Sequence, residues 1–246
     1  MQAPRERAVL SRRMNEREPR ADELFRRLAA AIPAPACELD HENAWQLVVA
    51  TILAAQSTDK RVNLVTPALF ARWPTPAALG GAAQEDVEGI VRSTGFFRNK
   101  AKAIRETSWA IAARFGGEMP RTLEEAITLP GVARKTANVV IGTAYRIPTG
   151  IVVDTHVGRV SRRLGLTENE DPTKVERDLC AIVPRDGWID AGHRMVLHGR
   201  YVCLARKPRC SDCPINELCP SSEERAVGEW EERAARERSI IGPSAG

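Results

Sequence analysis

Leu129-Pro130-Gly131-Val132-Ala133-Arg134-Lys135-Thr136-Ala137-Asn138 reads as a tight hairpin that opens into a helix. Pro130 fixes its own φ, Gly131 lets the backbone come close to a ligand, and Leu129 and Val132 are apolar anchors for the turn. Amides that follow such a turn sit at a helix N-terminus, where unbonded N–H groups and the positive end of the dipole suit a phosphate-sized anion. A nucleic-acid backbone can be held in this way without its bases being read. A Pro-Gly pair alone marks only a turn between helices; the ten-residue string is more specific. Lys135 falls in the first turn of that helix. A lysine on an amphipathic helix is ordinarily a solvated charge, but one placed about a turn from a phosphate grip has its amine near the sugar of the gripped strand. To act as a nucleophile it has to be neutral, which partial desolvation or the neighbouring Arg134 would favour.

Outward from the hairpin, helical spacing covers most of the chain. Leu24, Phe25, Leu28 and Ile32 form one apolar stripe behind Asp22. From Ala44 to Ala55 nearly every face is apolar (Trp45, Leu47, Val48, Val49, Ile52, Leu53), the pattern of a central buried helix. Thr58 and Asp59 offer a cap for a helix through Phe70, and Pro74, Pro76, Gly80 and Gly81 punctuate the next connection. Gln84 to Arg92 and Asn99 to Phe115 read as helices flanking a loop, Ser93-Thr94-Gly95-Phe96-Phe97-Arg98, that carries two adjacent aromatics. Further helical stretches run from Ala133 to Tyr145, Thr155 to Leu164, Pro172 to Val183 and Ile189 to Val202. Asp154 stands directly before one of them, the position of a helix cap, a role compatible with catalysis. No run alternates with the two-residue period of a strand, and Ile151-Val152-Val153 is too short to build a sheet. The fold class is all-α.

Composition narrows the partners. The chain has 246 residues, 43% of them hydrophobic, enough for a substantial core in one bilobal domain or two compact lobes. The most apolar stretch, Trp45 to Ala55, is interrupted by Gln46 and Thr51 and falls short of the ~20 residues that span a bilayer, so no membrane span is expected. The first twenty residues lack an apolar signal region, which points to the cytosol. Net charge is only +4, a hint of a polyanionic partner and no more. Six arginines face three glutamates in residues 1–20, and six glutamates face four arginines in residues 223–246. Arg5, Arg7, Arg12, Arg13, Arg17 and Arg20 would suit a mobile arm sampling phosphates, although mixed charge at a terminus more often marks a solvated segment.

Without an export signal, six cysteines argue against a disulfide framework. Cys203, Cys210, Cys213 and Cys219 fall within seventeen residues as C-x6-C-x2-C-x5-C, interleaved with Arg206, Lys207, Pro208 and Arg209. Four thiolates suit one soft metal centre, and ligand type alone leaves structural zinc and an iron–sulfur cluster both open. Zinc ribbons pair two C-x2-C units, whereas one compact run of four is closer to cluster-binding patterns. Cys37 and Cys180 lie outside the run and read as core residues.

Ala54-Ala55-Gln56-Ser57-Thr58-Asp59, the hairpin through Lys135, Val153-Asp154-Thr155-His156, Leu197-His198-Gly199-Arg200-Tyr201 and the complete cysteine loop together resemble the endonuclease III family of helix-hairpin-helix DNA glycosylases, over residues 21–222. That resemblance implies a [4Fe-4S] cluster on Cys203, Cys210, Cys213 and Cys219. It implies two helical lobes: a six-helix domain at 36–149 with the helix-hairpin-helix, and a cluster domain from 21–35 plus 150–222. A flexible basic arm at 1–20 and a C-terminal tail at 223–246 complete the expectation. The implied partner is double-stranded DNA carrying a damaged base or abasic site, lying across the cleft between the lobes, with the protein a monomer in a bacterial cytoplasm. The damaged nucleotide is flipped out, because its sugar carbon is out of reach inside the duplex. Gln56 matches the residue that fills the vacated space and Phe96 an apolar wedge, with Phe97 and Arg98 flanking the opposite strand. Gly131, Ala133 and Arg134 in the hairpin, His156 beside Asp154, and Lys207 and Arg209 in the cysteine loop are the remaining expected DNA contacts. Lys135 is the implied amine nucleophile and Asp154 its partner. A monofunctional adenine or mismatch glycosylase keeps the aspartate and the cluster but lacks such a lysine; a non-catalytic iron–sulfur DNA-binding module would need neither residue. The family hairpin commonly has glycine at the position of Ala133, and if φ is positive there, alanine costs about 1 kcal/mol or more.

Overall fold

Helix α1 occupies residues 19–31 of the computed structural model, which describes residues 19–242. The described residues contain helices and single 3-10 turns but no strand. The chain divides into two compact units: residues 37–149 form a contiguous one, and the segments up to residue 36 and from residue 150 onward form a split one.

In the contiguous unit, α2 (Ala44–Ala54) is the centre because its sequence leaves it no polar face. Leu47, Val48, Val49 and Leu53 are completely buried, and each such side chain contributes about 1.5–3 kcal/mol when taken out of water. Asn43 starts the helix by accepting from the Gln46 amide at 2.9 Å. Around it pack α3 (Asp59–Arg72), α6 (Phe97–Phe115) and α8 (Arg134–Tyr145). Thr58 caps α3 as its sequence predicts. Two short helices were not anticipated: α4 (Pro76–Gly80), capped by Thr75 with Pro76 in its first turn, and α7 (Leu123–Ala126), capped by Thr122. Gly80 allows α4 to lie directly on α6, since a Cβ there would meet the Trp109 backbone at 2.7 Å.

The expected loop at 93–98 is shorter in the structure. After α5 (Gln84–Val91), Arg92–Thr94 form a 3-10 turn and α6 starts at Phe97, so Phe97 and Arg98 are helical. The start was hidden because the capping residue is Phe96 in a left-handed conformation (φ 47°), with no side-chain cap bond to announce it.

The split unit gathers α1 with α9 (Thr155–Arg163), α10 (Pro172–Ile182), α11 (Trp188–Tyr201) and α12 (Trp230–Ile241). Its core joins Leu24 and Leu28 of α1 to Val157, Val160, Leu179, Met195 and Ile215. Two expectations are corrected here. Arg20 is no part of a mobile arm: it lies in α1 and donates to the carbonyls of Leu218 and Leu164, both at 2.8 Å. The other arginines of the expected arm lie outside the described residues. Residues 223–246 are not simply a tail, because α12 buries Arg233, Ala234 and Glu237 completely or almost so. Its buried face is largely charged, which is why it read as solvated sequence.

Candidate nucleic-acid interface and metal centre

Three segments of the contiguous unit converge around the C-terminal end of α2 and the first half of α6. The hairpin after α7 is held by Leu129 and Val132, both buried, with the Val132 amide donating to the Leu129 carbonyl at 3.2 Å. Its Pro130 carbonyl meets the Thr107 hydroxyl of α6. Gly131 has φ +73°, a conformation that favours glycine, and a Cβ there would lie 3.2 Å from the Ala103 Cβ, a tight contact. Ala133 has φ −78° and ψ 165°, ordinary extended geometry for an N-cap. The feared backbone cost of alanine is therefore absent. What Ala133 lacks is a side-chain acceptor, so the N-terminus of α8 has no side-chain cap. Gly131, Ala133, Arg134 and Lys135 are all exposed there.

Lys100 is buried beneath the other two segments. Its Nζ donates to the Leu53 carbonyl at 2.8 Å and to the Thr94 carbonyl at 2.7 Å, tying the turn after α2 to the turn before α6. Burial pushes its pKa below the ordinary lysine range. The first turn presents exposed Gln56 and the second exposed Phe96, whose side chain is 66% accessible. Phe97 instead packs partly against the core, and Arg98, exposed, lies over its ring at 5.0 Å. No sequence signal distinguished Lys100 from a solvated lysine.

Gln56, Phe96, Arg146 and Lys207 are the four non-glycine residues with positive φ among the described residues. Three of them are expected DNA contacts. Left-handed geometry costs a residue with a Cβ about 1–2 kcal/mol, and such strain collects at functional positions.

In the split unit, Asp154 caps α9, its Oδ1 accepting from the amides of His156 at 2.9 Å and Val157 at 2.8 Å. The cap occupies one carboxylate oxygen. His156 stands where α9 meets α11, and Gly199 lets the helices approach, since a Cβ there would fall 2.9 Å from the His156 Cβ. The far half of α9 reaches the cysteine loop. Arg159 donates to the carbonyls of Gly199 (2.7 Å) and Cys203 (3.0 Å), and Arg163 to the Leu204 carbonyl (2.6 Å) and the Cys203 sulfur (3.4 Å). Neither arginine was singled out from sequence; their spacing along the C-terminal half of α9 was the available signal.

Cys203, Cys210, Cys213 and Cys219 line one pocket with Leu164, Val202 and Ile215 as apolar wall. Burial pushes the Cys219 thiol above the ordinary cysteine range; the Ser221 amide opposes this, and Cys213, Cys203 and Cys210 reinforce it. Among the described residues no three histidine, cysteine or acidic donors converge on a single ion. Four thiols lining one pocket suit a metal centre, and binding iron would remove the penalty of crowding thiolates. Lys207 and Arg209 are exposed on this loop. Burial works against the imidazolium of His198, yet Glu237 and Cys213 on either side raise its pKa well above the usual value. Among the described residues no helix is long and apolar enough to cross a membrane.

Comparison with known proteins agrees with this arrangement. The family model described as HhH-GPD superfamily base excision DNA repair protein matches residues 49–185, and that of the iron-sulfur binding domain of endonuclease III matches residues 203–219. The chain is 49% identical over 214 residues to endonuclease III of Synechocystis sp., covering 87% of this chain and 98% of that protein. It is 44% identical over 194 residues to endonuclease III of Bacillus subtilis, covering 78% and 88%. A solved structure of a trapped endonuclease III–DNA covalent intermediate superposes with a TM-score of 0.79 at 40% identity, covering 84% of this chain and 97% of that one. With its hairpin, cysteine loop and helical architecture all accounted for, the chain belongs to the endonuclease III family of the HhH-GPD superfamily and carries an iron–sulfur cluster.

Proposed function

We infer that this protein is a bifunctional DNA glycosylase and abasic-site lyase of base excision repair, with Lys135 as nucleophile and Asp154 as its partner. The observation that carries the reading is an exposed lysine at the second residue of α8, just past a glycine hairpin and a helix N-terminus without a side-chain cap. The α8 amides grip a backbone phosphate, bringing the amine to the sugar of a flipped nucleotide. The lysine nitrogen bonds to the anomeric carbon as the glycosidic bond breaks, the base leaving with the bonding pair. The sugar ring then opens, the C1′–O4′ bond breaking as O4′ takes a proton, and the iminium so formed acidifies the 2′ hydrogens, so that loss of one expels the 3′ phosphate oxygen. Asp154 stabilises the positive charge that develops on the sugar and takes up the lysine proton. Gln56 and Phe96 enter the stack, and Arg134, His156, Lys207 and Arg209 meet the backbone. Cys203, Cys210, Cys213 and Cys219 hold a [4Fe-4S] cluster, which when bound crosslinks the loop carrying Lys207 and Arg209. The substrate class we assign is oxidised pyrimidine in duplex DNA, handled by a monomer in the cytoplasm.

Borohydride reduction during turnover tests the lysine. Wild type is expected to form a covalent adduct with an abasic duplex and Lys135→Ala none while still binding it. An adduct that survives in Lys135→Ala would reject the nucleophile, and no adduct with wild type would reject the lyase.

A further inference from the structure

Helix α12 begins after residue 219, where the iron–sulfur family model stops, and neither family model reaches it. Yet it buries two charged side chains completely. The Arg233 Nε donates to the Cys213 carbonyl at 2.8 Å, and its other nitrogens meet the Gly228 carbonyl and Glu217. One turn on, Glu237 Oε1 lies 2.7 Å from His198 Nδ1, and both side chains are almost wholly inaccessible. Across the ring, His198 Nε2 lies 3.8 Å from the Cys213 sulfur. Among the described residues Glu237 Oε2 has no hydrogen-bond partner.

A buried ion pair is a poor source of stability, because desolvating both groups costs about as much as their attraction returns, and apolar replacements are often neutral or better. The unsatisfied Oε2 makes the cost here greater. Such a pair is better explained by what it orients. Metal sites commonly rely on an outer carboxylate that fixes an imidazole, and hydrogen bonds to cluster sulfurs set reduction potential. A carboxylate only accepts, so Nδ1 carries a hydrogen toward Glu237; a sulfur bound to iron also accepts, so Nε2 presents one toward Cys213.

We propose that Glu237 and Arg233 of α12 are positioning residues for the iron–sulfur centre, Glu237 aiming His198 as a hydrogen-bond donor to the Cys213 sulfur and Arg233 fixing the Cys213 backbone. This rests on the reading that Cys213 is a cluster ligand. The C-terminal helix is thus an added part of the metal site and tunes it.

The test uses the full chain purified with its cluster. His198→Phe combined with Glu237→Leu replaces the pair by apolar groups and leaves no stranded charge. Thermal melting of this variant is expected to stay near wild type. Its reduction potential is expected to become more negative, its iron–cysteine stretching bands in resonance Raman to move up, and its iron loss to a chelator to quicken about ten-fold. An unchanged potential and unchanged bands in a folded, loaded variant would overturn the proposal. Should the double variant not fold, Glu237→Gln keeps the shape and weakens the bond at Nδ1. The same shifts, smaller, are then expected, and their absence overturns the proposal equally. Wild type lacking iron and sulfide would defeat the cluster reading itself, a different result from loaded proteins that do not differ.

Discussion

Asp154 caps α9 and is our proposed partner of Lys135, two tasks that call for different chemistry, and one substitution separates them. As a cap it needs only an acceptor for the His156 and Val157 amides, which asparagine supplies as well as aspartate. As the partner of Lys135 it needs negative charge. Asp154→Asn is therefore expected to melt within about 0.5 kcal/mol of wild type, while single-turnover base release slows about a hundred-fold or more. Asp154→Ala loses the cap too and is expected to cost about 1 kcal/mol in urea denaturation. Equal base release by wild type and Asp154→Asn would remove the carboxylate from the reaction. The same scale separates the two aromatics of the α5–α6 connection: Phe96 is exposed at a strained backbone position, and Phe97 leans on the core. Their adjacency in sequence concealed this, because burial depends on where α6 begins and its start lacks a side-chain cap.

At the scale of an element, the N-terminus of α8, our proposed phosphate grip, lacks a side-chain cap. Ala133 caps it without an acceptor, so Ala133→Ser is expected to stabilise the protein by about 1 kcal/mol. The new hydroxyl would compete with phosphate for the same amides, and a DNA titration is expected to show weaker binding. Stabilisation with unchanged affinity would mean that these amides do not meet DNA. The hairpin was legible because its chemistry is local: Leu129, Pro130, Gly131 and Val132 state turn and anchors within four residues. The cysteine loop was legible for the same reason. Lys100 was not, since its acceptors lie on other segments, Leu53 forty-seven positions away. Helix α12 escaped because Arg233 and Glu237, residue types that mark solvent, form its buried face. What sequence concealed in each case was a long-range partner that satisfies a buried polar group.

For the whole molecule, charge is nearly balanced, with 36 lysines and arginines against 32 acidic residues. A diffuse positive field is a weak source of affinity under those conditions, and local phosphate contacts must supply it. Removing Lys207 or Arg209 is accordingly expected to lower the slope of log affinity against log salt by about 1 each, measured by fluorescence anisotropy across a salt series. Slopes unchanged in both variants would place the cysteine loop away from DNA. The split unit also has an order of assembly written into it. Helix α1 is synthesised early, yet Arg20 and Arg27 bond to Leu164, Pro214, Glu217 and Leu218. At ~5–20 residues per second, α1 waits on the order of ten seconds after leaving the ribosome before its partners exist, while residues 37–149 already own a complete core. During synthesis each chain is thus finished in one half and open in the other, with the apolar stripe of α1 offered to chaperones and proteases.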